Sequence, residues 1–235
     1  MQLHILENND SLCNGLIAWM EQIIKEVLKE NDKFTIALSG GSTPKLLYQK
    51  LALNKNIDWS KIHFFWGDER TVPFSDERNN AHMAFNELLN KIPVPENQIH
   101  VMRTDIPLDE SVRQYDELLH EYFKGGEAFD LVLLGMGADG HTLSLFPDGK
   151  LINDNISWVA SGKKTGEDIS RITLMPAIVN KSKYIVFLVS GKDKSEMLKN
   201  VLELDPYYPA NLIDPISKQL HFFLDKDASA LLSNH

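Results

Sequence analysis

The chain passes from an apolar run into a glycine-rich turn at Phe129-Asp-Leu-Val-Leu-Leu-Gly-Met-Gly-Ala-Asp-Gly-His-Thr-Leu-Ser-Leu-Phe-Pro147. The leucines and the valine over 131–134 predict a buried strand. Three glycines follow within six residues and let the backbone approach a ligand closely: Gly135, Gly137 and Gly140. Asp139 and His141 lie inside this turn, and a histidine beside a carboxylate can act as a general base. The segment therefore predicts a strand that ends at an active site.

Strand-like and helix-like segments alternate along the rest of the chain. Strands are predicted at 2–6, 34–38, 62–66, 156–160, 171–174, 184–189 and 221–224, with an extended piece near 99–102. Helices are predicted at 10–30, 43–53, 76–89, 112–122 and 194–204, with a short one after the last strand. This alternation is typical of a doubly wound α/β fold, with a mostly parallel sheet and helices on both faces. Because no long polar linker divides the chain, residues 1–235 are predicted to form a single α/β domain.

Composition excludes several classes of function. The formal charge of −9, without any basic run, argues against a nucleic-acid partner. The single cysteine, Cys13, excludes an internal disulfide and falls in a helical apolar pattern that predicts a buried packing role. No apolar stretch is long enough to span a membrane and no signal peptide is recognisable, so a cytoplasmic location is expected. The scattered histidines argue against a metal site.

Two further strand ends carry residues suited to binding an anion. Leu38-Ser-Gly-Gly-Ser-Thr-Pro44 brings hydroxyls and exposed N–H groups to a helix start, where the helix dipole favours phosphate. The candidate residues there are Gly40, Gly41, Ser42 and Thr43. An ordinary strand-to-helix turn, with Thr43 as N-cap before Pro44, explains the motif equally well. Asp68, Glu69 and Arg70 follow an aromatic strand and fit either a substrate contact or a surface salt-bridge cluster.

Other motifs are weaker. Arg171 and Lys194 could each neutralise a phosphate, although a lone cation is more often solvated surface charge. Gly-Met-Gly-Ala-Asp-Gly140 fits the dinucleotide pattern G-x-G-x-x-G, but Pro147 leaves little room for the required helix and no acid ends the next strand. We interpret that match as coincidental. The G-x-S-x-G signature of serine hydrolases is missing from the sequence.

Taken in order, these motifs closely resemble the 6-phosphogluconolactonase family. The resemblance is carried by Ser39-Gly-Gly-Ser-Thr-Pro44, Asp68-Glu-Arg70, Gly135–Pro147, Arg171-Ile-Thr-Leu-Met-Pro176, Ser190-Gly-Lys-Asp-Lys194 and Pro209-Ala-Asn-Leu212. It implies the fold shared with glucosamine-6-phosphate deaminase and ribose-5-phosphate isomerase. It further implies hydrolysis of 6-phospho-D-glucono-1,5-lactone in the oxidative pentose phosphate pathway, without metal or organic cofactor. Where the family often has Ser-Asn, this chain has Asn79-Asn80, which leaves only that loop's detail open.

The resemblance also suggests a mechanism. His141 is expected to take a proton from the attacking water, with Asp139 or Asp68 orienting its ring. Glycine-loop N–H groups or Arg70 would stabilise the oxyanion. The phosphate of the small-molecule lactone is assigned to Arg171 and Lys194, with help from Ser42 and Thr43. The polar stretch 161–167 is a possible lid, and a monomer or small homo-oligomer is expected.

Two alternatives stay open at this point. Glucosamine-6-phosphate deaminases share the Asp-Gly-His turn, but they carry an acid five residues after the histidine and Asp-Glu-Tyr in the second motif. This chain has Phe146 and Arg70 at those positions. A non-catalytic sugar-phosphate-binding module of a transcription regulator would be expected to carry a helix-turn-helix segment, for which there is no room.

Overall fold

The computed structural model describes residues 1–126, 128–204 and 207–233. The strands in these ranges are β1 (Gln2–Leu6), β2 (Phe34–Leu38), β3 (Ile62–Trp66), β4 (Asp68–Arg70), β5 (Leu131–Leu134), β6 (Val159–Lys163), β7 (Ser170–Leu174), β8 (Tyr184–Val189) and β9 (Leu220–Asp225). The α-helices are α1 (Asn9–Val27), α2 (Ser42–Leu51), α3 (Asn80–Glu87), α4 (Leu108–Tyr122), α5 (Pro176–Val179), α6 (Ser195–Lys199) and α7 (Lys226–Ser229). A π-helical segment, Asn200–Leu204, continues α6.

Six strands form a parallel sheet in the order β1-β9-β8-β5-β2-β3. Its central strands are continuous apolar runs, and every residue of β2 and of β5 is buried. Such runs are typical of parallel strands whose two faces are both covered. The prediction of a doubly wound, mostly parallel sheet flanked by helices is confirmed.

The strand order reverses beside β2. The chain proceeds from β2 to β3 on one side and later places β5 on the other side. In open α/β sheets, ligands bind beyond the carboxyl ends of the strands at such a reversal. A β-carbon built on Gly135 would lie 3.8 Å from Ser39 Oγ, so the ends of β5 and β2 are neighbours. The topology therefore brings the two glycine motifs together.

A second sheet of three strands, ordered β4-β7-β6, is antiparallel. The strand predicted at 171–174 exists as β7. The one predicted at 156–160 is shifted, because β6 spans Val159–Lys163 and includes the first three residues of the polar stretch 161–167. Neither strand belongs to the parallel sheet. Asp68–Arg70, which follow a predicted strand, form the further strand β4. Gly67 links the sheets, since its N–H donates to Leu38 and its carbonyl accepts from Leu174 N–H, at 2.8 and 2.7 Å.

Several boundaries differ from the prediction. Helix α2 begins at Ser42 with Gly41 as its N-cap, so the prediction of Thr43 as the cap is wrong. Pro44 still lies in the first turn, where its missing N–H costs no helical hydrogen bond. Helix α3 is shorter than 76–89, because the Asn79 side chain caps it by accepting from His82 N–H at 2.8 Å. The extended piece near 99–102 makes a single bridge between Phe64 and Ile99 rather than a strand.

Cys13 lies on the buried face of α1 and has no exposed surface, which confirms the predicted buried role. Burial raises the pKa of its thiol to about 11. A thiol that stays protonated at neutral pH is a poor nucleophile, so Cys13 contributes to packing. Among the described residues, no helix combines the length and apolar character needed to cross a bilayer.

Acidification is expected to destabilise the fold through His100, which is half-buried, and His221, which is buried. Burial, followed by neighbouring positive charge, lowers the pKa of His100 and of His221 from 6.5 to about 4. Between pH 6.5 and 4 the unfolded chain takes up protons that the folded protein refuses, so the free energy of unfolding falls as pH decreases. His100→Phe keeps the stacking on Phe65, whose ring centroid lies 4.4 Å away, and should reduce this loss. Urea unfolding at several pH values measures how the free energy of unfolding depends on pH.

The matched control is His120→Phe, since His120 lies on the exposed face of α4. That variant should keep the parent's dependence on pH. An unchanged slope in His100→Phe would contradict the assignment.

Candidate active site

The turn after β5 holds the imidazole of His141 against the carboxylate of Asp139. The Nδ1 atom of His141 lies 2.5 Å from Asp139 Oδ1, and the same oxygen accepts from His141 N–H at 3.3 Å. Gly137 N–H donates to the carbonyl of His141 at 2.8 Å and closes the turn. Because the aspartate is two residues from the histidine, the backbone of the turn itself fixes this pair.

Steric crowding favours glycine at two positions of this turn. A β-carbon on Gly137 would fall 2.1 Å from His141 Nδ1, inside the imidazole. Gly140 has φ of 78°, and a β-carbon there would fall 2.5 Å from the ring of Tyr208. Left-handed backbone and close approach both favour glycine. The imidazole is therefore seated in a place that a side chain at position 137 would otherwise fill.

The electrostatics of this pair define the reactive nitrogen. Partial burial raises the pKa of Asp139, but hydrogen bonds from the side chain and backbone of His141 oppose it, and the net pKa lies below the ordinary value. An ionised Asp139 accepts the proton carried on Nδ1, which leaves a lone pair on Nε2. The side chain of His141 is 25% exposed, so the imidazole is within reach of a ligand. The arrangement can accept a proton from a bound water.

Asp68, the other predicted acid, lies in a different hydrogen-bond network. Its Oδ2 accepts from Ser144 Oγ at 2.6 Å, and its Oδ1 lies 3.3 Å from Asn80 Nδ2. The structure thus places Asp139, rather than Asp68, against the imidazole. Asp68 joins β4 to the segment after His141, because Ser144 is three residues beyond that histidine. A direct part for Asp68 in the reaction stays a prediction.

Glu69 supports the fold of this region. It is 1% exposed, and its carboxylate accepts from the backbone N–H groups of Arg70, Asn80 and Ala81 at 2.7–2.8 Å. Burial raises its pKa to about 7, while these three donors oppose the shift. The side chain ties the start of α3 to β4, and Asn80 Nδ2 adds a bond to the carbonyl of Asp68 at 2.9 Å.

The second sheet supplies the cations. Arg70 on β4 and Arg171 on β7 are directly opposite each other in register. Directly opposed residues project to the same face of a sheet. Among the described residues, the buried Nε atom of each arginine has no hydrogen-bond partner. A cavity of about 460 Å³ lies here, with Arg70, Arg78 and Arg171 among its lining residues. Such donors are suited to a phosphate.

Phe146 connects the imidazole to the cations. Its ring centroid lies 5.0 Å from that of His141 and 5.4 Å from Arg171 Cζ. Lys164 Nζ lies 5.8 Å from the same centroid. The sequence indicated no function for Phe146 beyond its difference from an acid. One aromatic ring thus separates the candidate base from the candidate anion site.

The remaining predicted residues lie at the starts of α2 and α6. Gly40 is forced by space, since a β-carbon there would fall 2.0 Å from Asn80 Oδ1, and Gly41 has φ of 115°. Ser42 is exposed at the start of α2, whereas Thr43 is buried. Lys194 immediately precedes α6. This helix lies beside the glycine turn, because a β-carbon built on Gly140 would be 3.1 Å from Met197 Sδ. Among the described residues, no hydrogen bond or ion pair joins Lys194 to His141 or to Arg171; its Nζ lies 3.3 Å from Asp193.

Comparison with known proteins identifies similar chains. A sequence model of the family described as glucosamine-6-phosphate isomerases/6-phosphogluconolactonase matches residues 7–222. A 6-phosphogluconolactonase from Synechocystis sp. is 37% identical, over 97% of this chain and 96% of the relative. One from Nostoc sp. is 39% identical over 88% of each. The crystal structure of 6-phosphogluconolactonase from Thermotoga maritima has a TM-score of 0.84 at 30% identity, covering 96% of this chain and 99% of the other.

Replacing Gly137 should disturb the turn more than replacing Gly135. In Gly137→Ala the new β-carbon would overlap the imidazole, and such overpacking typically costs about 1–3 kcal/mol. In Gly135→Ala the nearest atom, Ser39 Oγ, is 3.8 Å away, an ordinary contact. We expect Gly137→Ala alone to lose stability in urea unfolding and to shift the NMR signals of the His141 ring. Equal losses in both variants would show that space at position 137 is not limiting.

Proposed function

The chain belongs to the family of glucosamine-6-phosphate isomerases and 6-phosphogluconolactonases, and from this we propose that it is an enzyme that hydrolyses 6-phospho-D-glucono-1,5-lactone to 6-phosphogluconate. This is the lactone-opening step of the oxidative pentose phosphate pathway. Relatives with the lactonase name match nearly the whole chain, which supports that branch of the family. The observation that carries the proposal is the Asp139–His141 pair at the carboxyl end of β5, in which the contact of Nδ1 with Asp139 leaves Nε2 as the basic nitrogen.

The reaction proceeds by general-base catalysis. Water attacks the lactone carbonyl carbon while Nε2 of His141 takes one of its protons, and Asp139 stabilises the resulting imidazolium. The tetrahedral intermediate then collapses, the bond between that carbon and the ring oxygen breaks, and the ring oxygen leaves with a proton from the imidazolium. Glycine-loop N–H groups or Arg70 stabilise the oxyanion. A lactone is an activated ester, so the step needs neither a metal nor an organic cofactor.

The phosphate binds away from the reacting carbon. We assign it to Arg171 and Lys194, with Ser42 and Thr43 contributing hydroxyls and Gly40 and Gly41 allowing close approach. The buried Nε atom of Arg171, for which the described part of the chain offers no hydrogen-bond partner, supports this assignment. Binding energy from such a remote group serves to orient the reacting ring.

Phe146 argues against the deaminase alternative. An apolar ring packs 5.0 Å from the imidazole of His141 where a deaminase-type relay would need an acid. A phenyl ring can neither donate nor accept a proton, so ring opening and isomerisation would lack one of their groups. We further propose that residues 1–235 act as one catalytic domain in the cytoplasm, as a monomer or small homo-oligomer.

The direct test is acid release from freshly generated 6-phosphogluconolactone, with glucosamine 6-phosphate as the comparison substrate. The protein should accelerate hydrolysis of the lactone and release no ammonia from the amino sugar. His141→Ala should lower kcat by about a hundred- to ten-thousandfold, because it removes the base. Binding of 6-phosphogluconate, measured by calorimetry, should be nearly unchanged.

His120→Ala, on the exposed face of α4, is the control and should retain full activity. Ammonia release without lactone hydrolysis would assign the chain to the other branch. Full activity in His141→Ala would refute the base.

Lys194→Gln should chiefly weaken affinity for the phosphorylated lactone. Loss of a charged hydrogen bond of about 1.5–3 kcal/mol would raise KM roughly ten- to a hundredfold. The KM for unphosphorylated glucono-1,5-lactone should not change. Lys192→Gln, in the same turn, is the matched control. A Lys194→Gln enzyme that treats both lactones as the parent does would rule out the phosphate contact.

A further inference from the structure

Glu167 pairs with Arg171, the cation to which the phosphate of the substrate is assigned. It lies on the β6–β7 loop, residues 164–169, and its Oε2 is 2.7 Å from Arg171 Nη2. Hydrogen bonding from Arg171, followed by the positive charges of Arg171, Lys164 and Arg70, outweighs partial desolvation and holds the pKa of Glu167 below its ordinary value. The carboxylate is therefore an anion already seated at this cation site.

The pairing is incomplete. Glu167 engages Nη2 of Arg171, while Nε of the same guanidinium is buried and has no hydrogen-bond partner among the described residues. Over the same ranges of the chain, the Nε atom of Arg70, directly opposite in register, also has none. A planar guanidinium offers its donors as a fork, and a phosphate has more acceptor oxygens and more charge than a carboxylate. Two unused donors beside a seated carboxylate indicate that a larger anion fits the site better.

We propose that Glu167 is a specificity-determining residue: its carboxylate occupies the place of the substrate's phosphate, and a phosphate ester must displace it to bind. This inference rests on the proposed function, which assigns the phosphate to Arg171. Glu167 lowers the affinity for every anion at the site, and a phosphate ester recovers the loss through the unused donors. A weaker anion, such as a sugar carboxylate, does not.

The displaced carboxylate has a second partner nearby. Lys164 Nζ lies 4.0 Å from Glu167 Oε1 and 3.5 Å from Asp139 Oδ2. Both residues are on the same loop, and Glu167 N–H donates to the carbonyl of Lys164 at 3.0 Å. Gly166, with φ of 83°, has open space around it, so the loop can change shape without collision. A carboxylate released from Arg171 can therefore pair with Lys164 and does not lose its only cation.

The test is Glu167→Gln, which removes the charge and keeps the size. Because a partly exposed ion pair is weak, KM for the phosphorylated lactone should fall by about two- to fivefold, with kcat unchanged. The dissociation constant of inorganic phosphate, measured by calorimetry, should fall by a similar factor. Glu117→Gln is the matched control, because Glu117 pairs with an arginine four residues away, Arg113, at 2.8 Å on α4 and does not line the cavity of Arg70 and Arg171. That control should leave both quantities near the parent values.

A double-mutant cycle with Arg171→Gln completes the test. In that background Glu167→Gln should no longer lower KM or tighten phosphate binding. Equal shifts in Glu167→Gln and Glu117→Gln, or an unchanged KM in Glu167→Gln, would overturn the inference. Absence of lactone hydrolysis in the parent protein would instead refute the proposed function. The phosphate measurement does not depend on turnover, so the two failures are distinguishable.

Discussion

The candidate site depends on the space left empty at position 137. The imidazole of His141 lies where a β-carbon at that position would be, and Gly137 N–H bonds to the carbonyl of the same histidine. With the ring fixed there, Nδ1 meets Asp139, and Nε2 is left as the basic nitrogen. The glycine thus determines which nitrogen is basic. The turn can do this because β5 is buried on both faces and ends at the reversal of strand order.

Much of this arrangement could be predicted from the sequence. Apolar runs located β2, β3 and β8 to the residue, because buried parallel strands have a simple pattern. Asp139 could be placed near His141 from their separation of two residues within a tight turn, although the choice between Asp139 and Asp68 stayed open. These features are local, and local sequence is sufficient to predict them.

The features that could not be predicted depend on register between distant segments. Nothing in the spacing of Arg70 and Arg171 indicates that they are directly opposed, since β4 and β7 are separated by most of the central chain. The contact of Phe146 with both His141 and Arg171 depends on that pairing as well. By contrast, Glu167 and Arg171 are only four residues apart, but one lies in a loop and the other in β7, so their spacing alone does not indicate a pair.

The pairing of β1 with β9 has a consequence for folding. Gln2 lies opposite His221, so β1 finds its neighbour only after the segments between them have been made. Until then β1 remains an unpaired edge, and helix α1 cannot bury its apolar stripe against β9. Contacts between such distant segments form slowly and leave partly folded chains open to misassociation. The pairing of β1 is therefore a late event in folding.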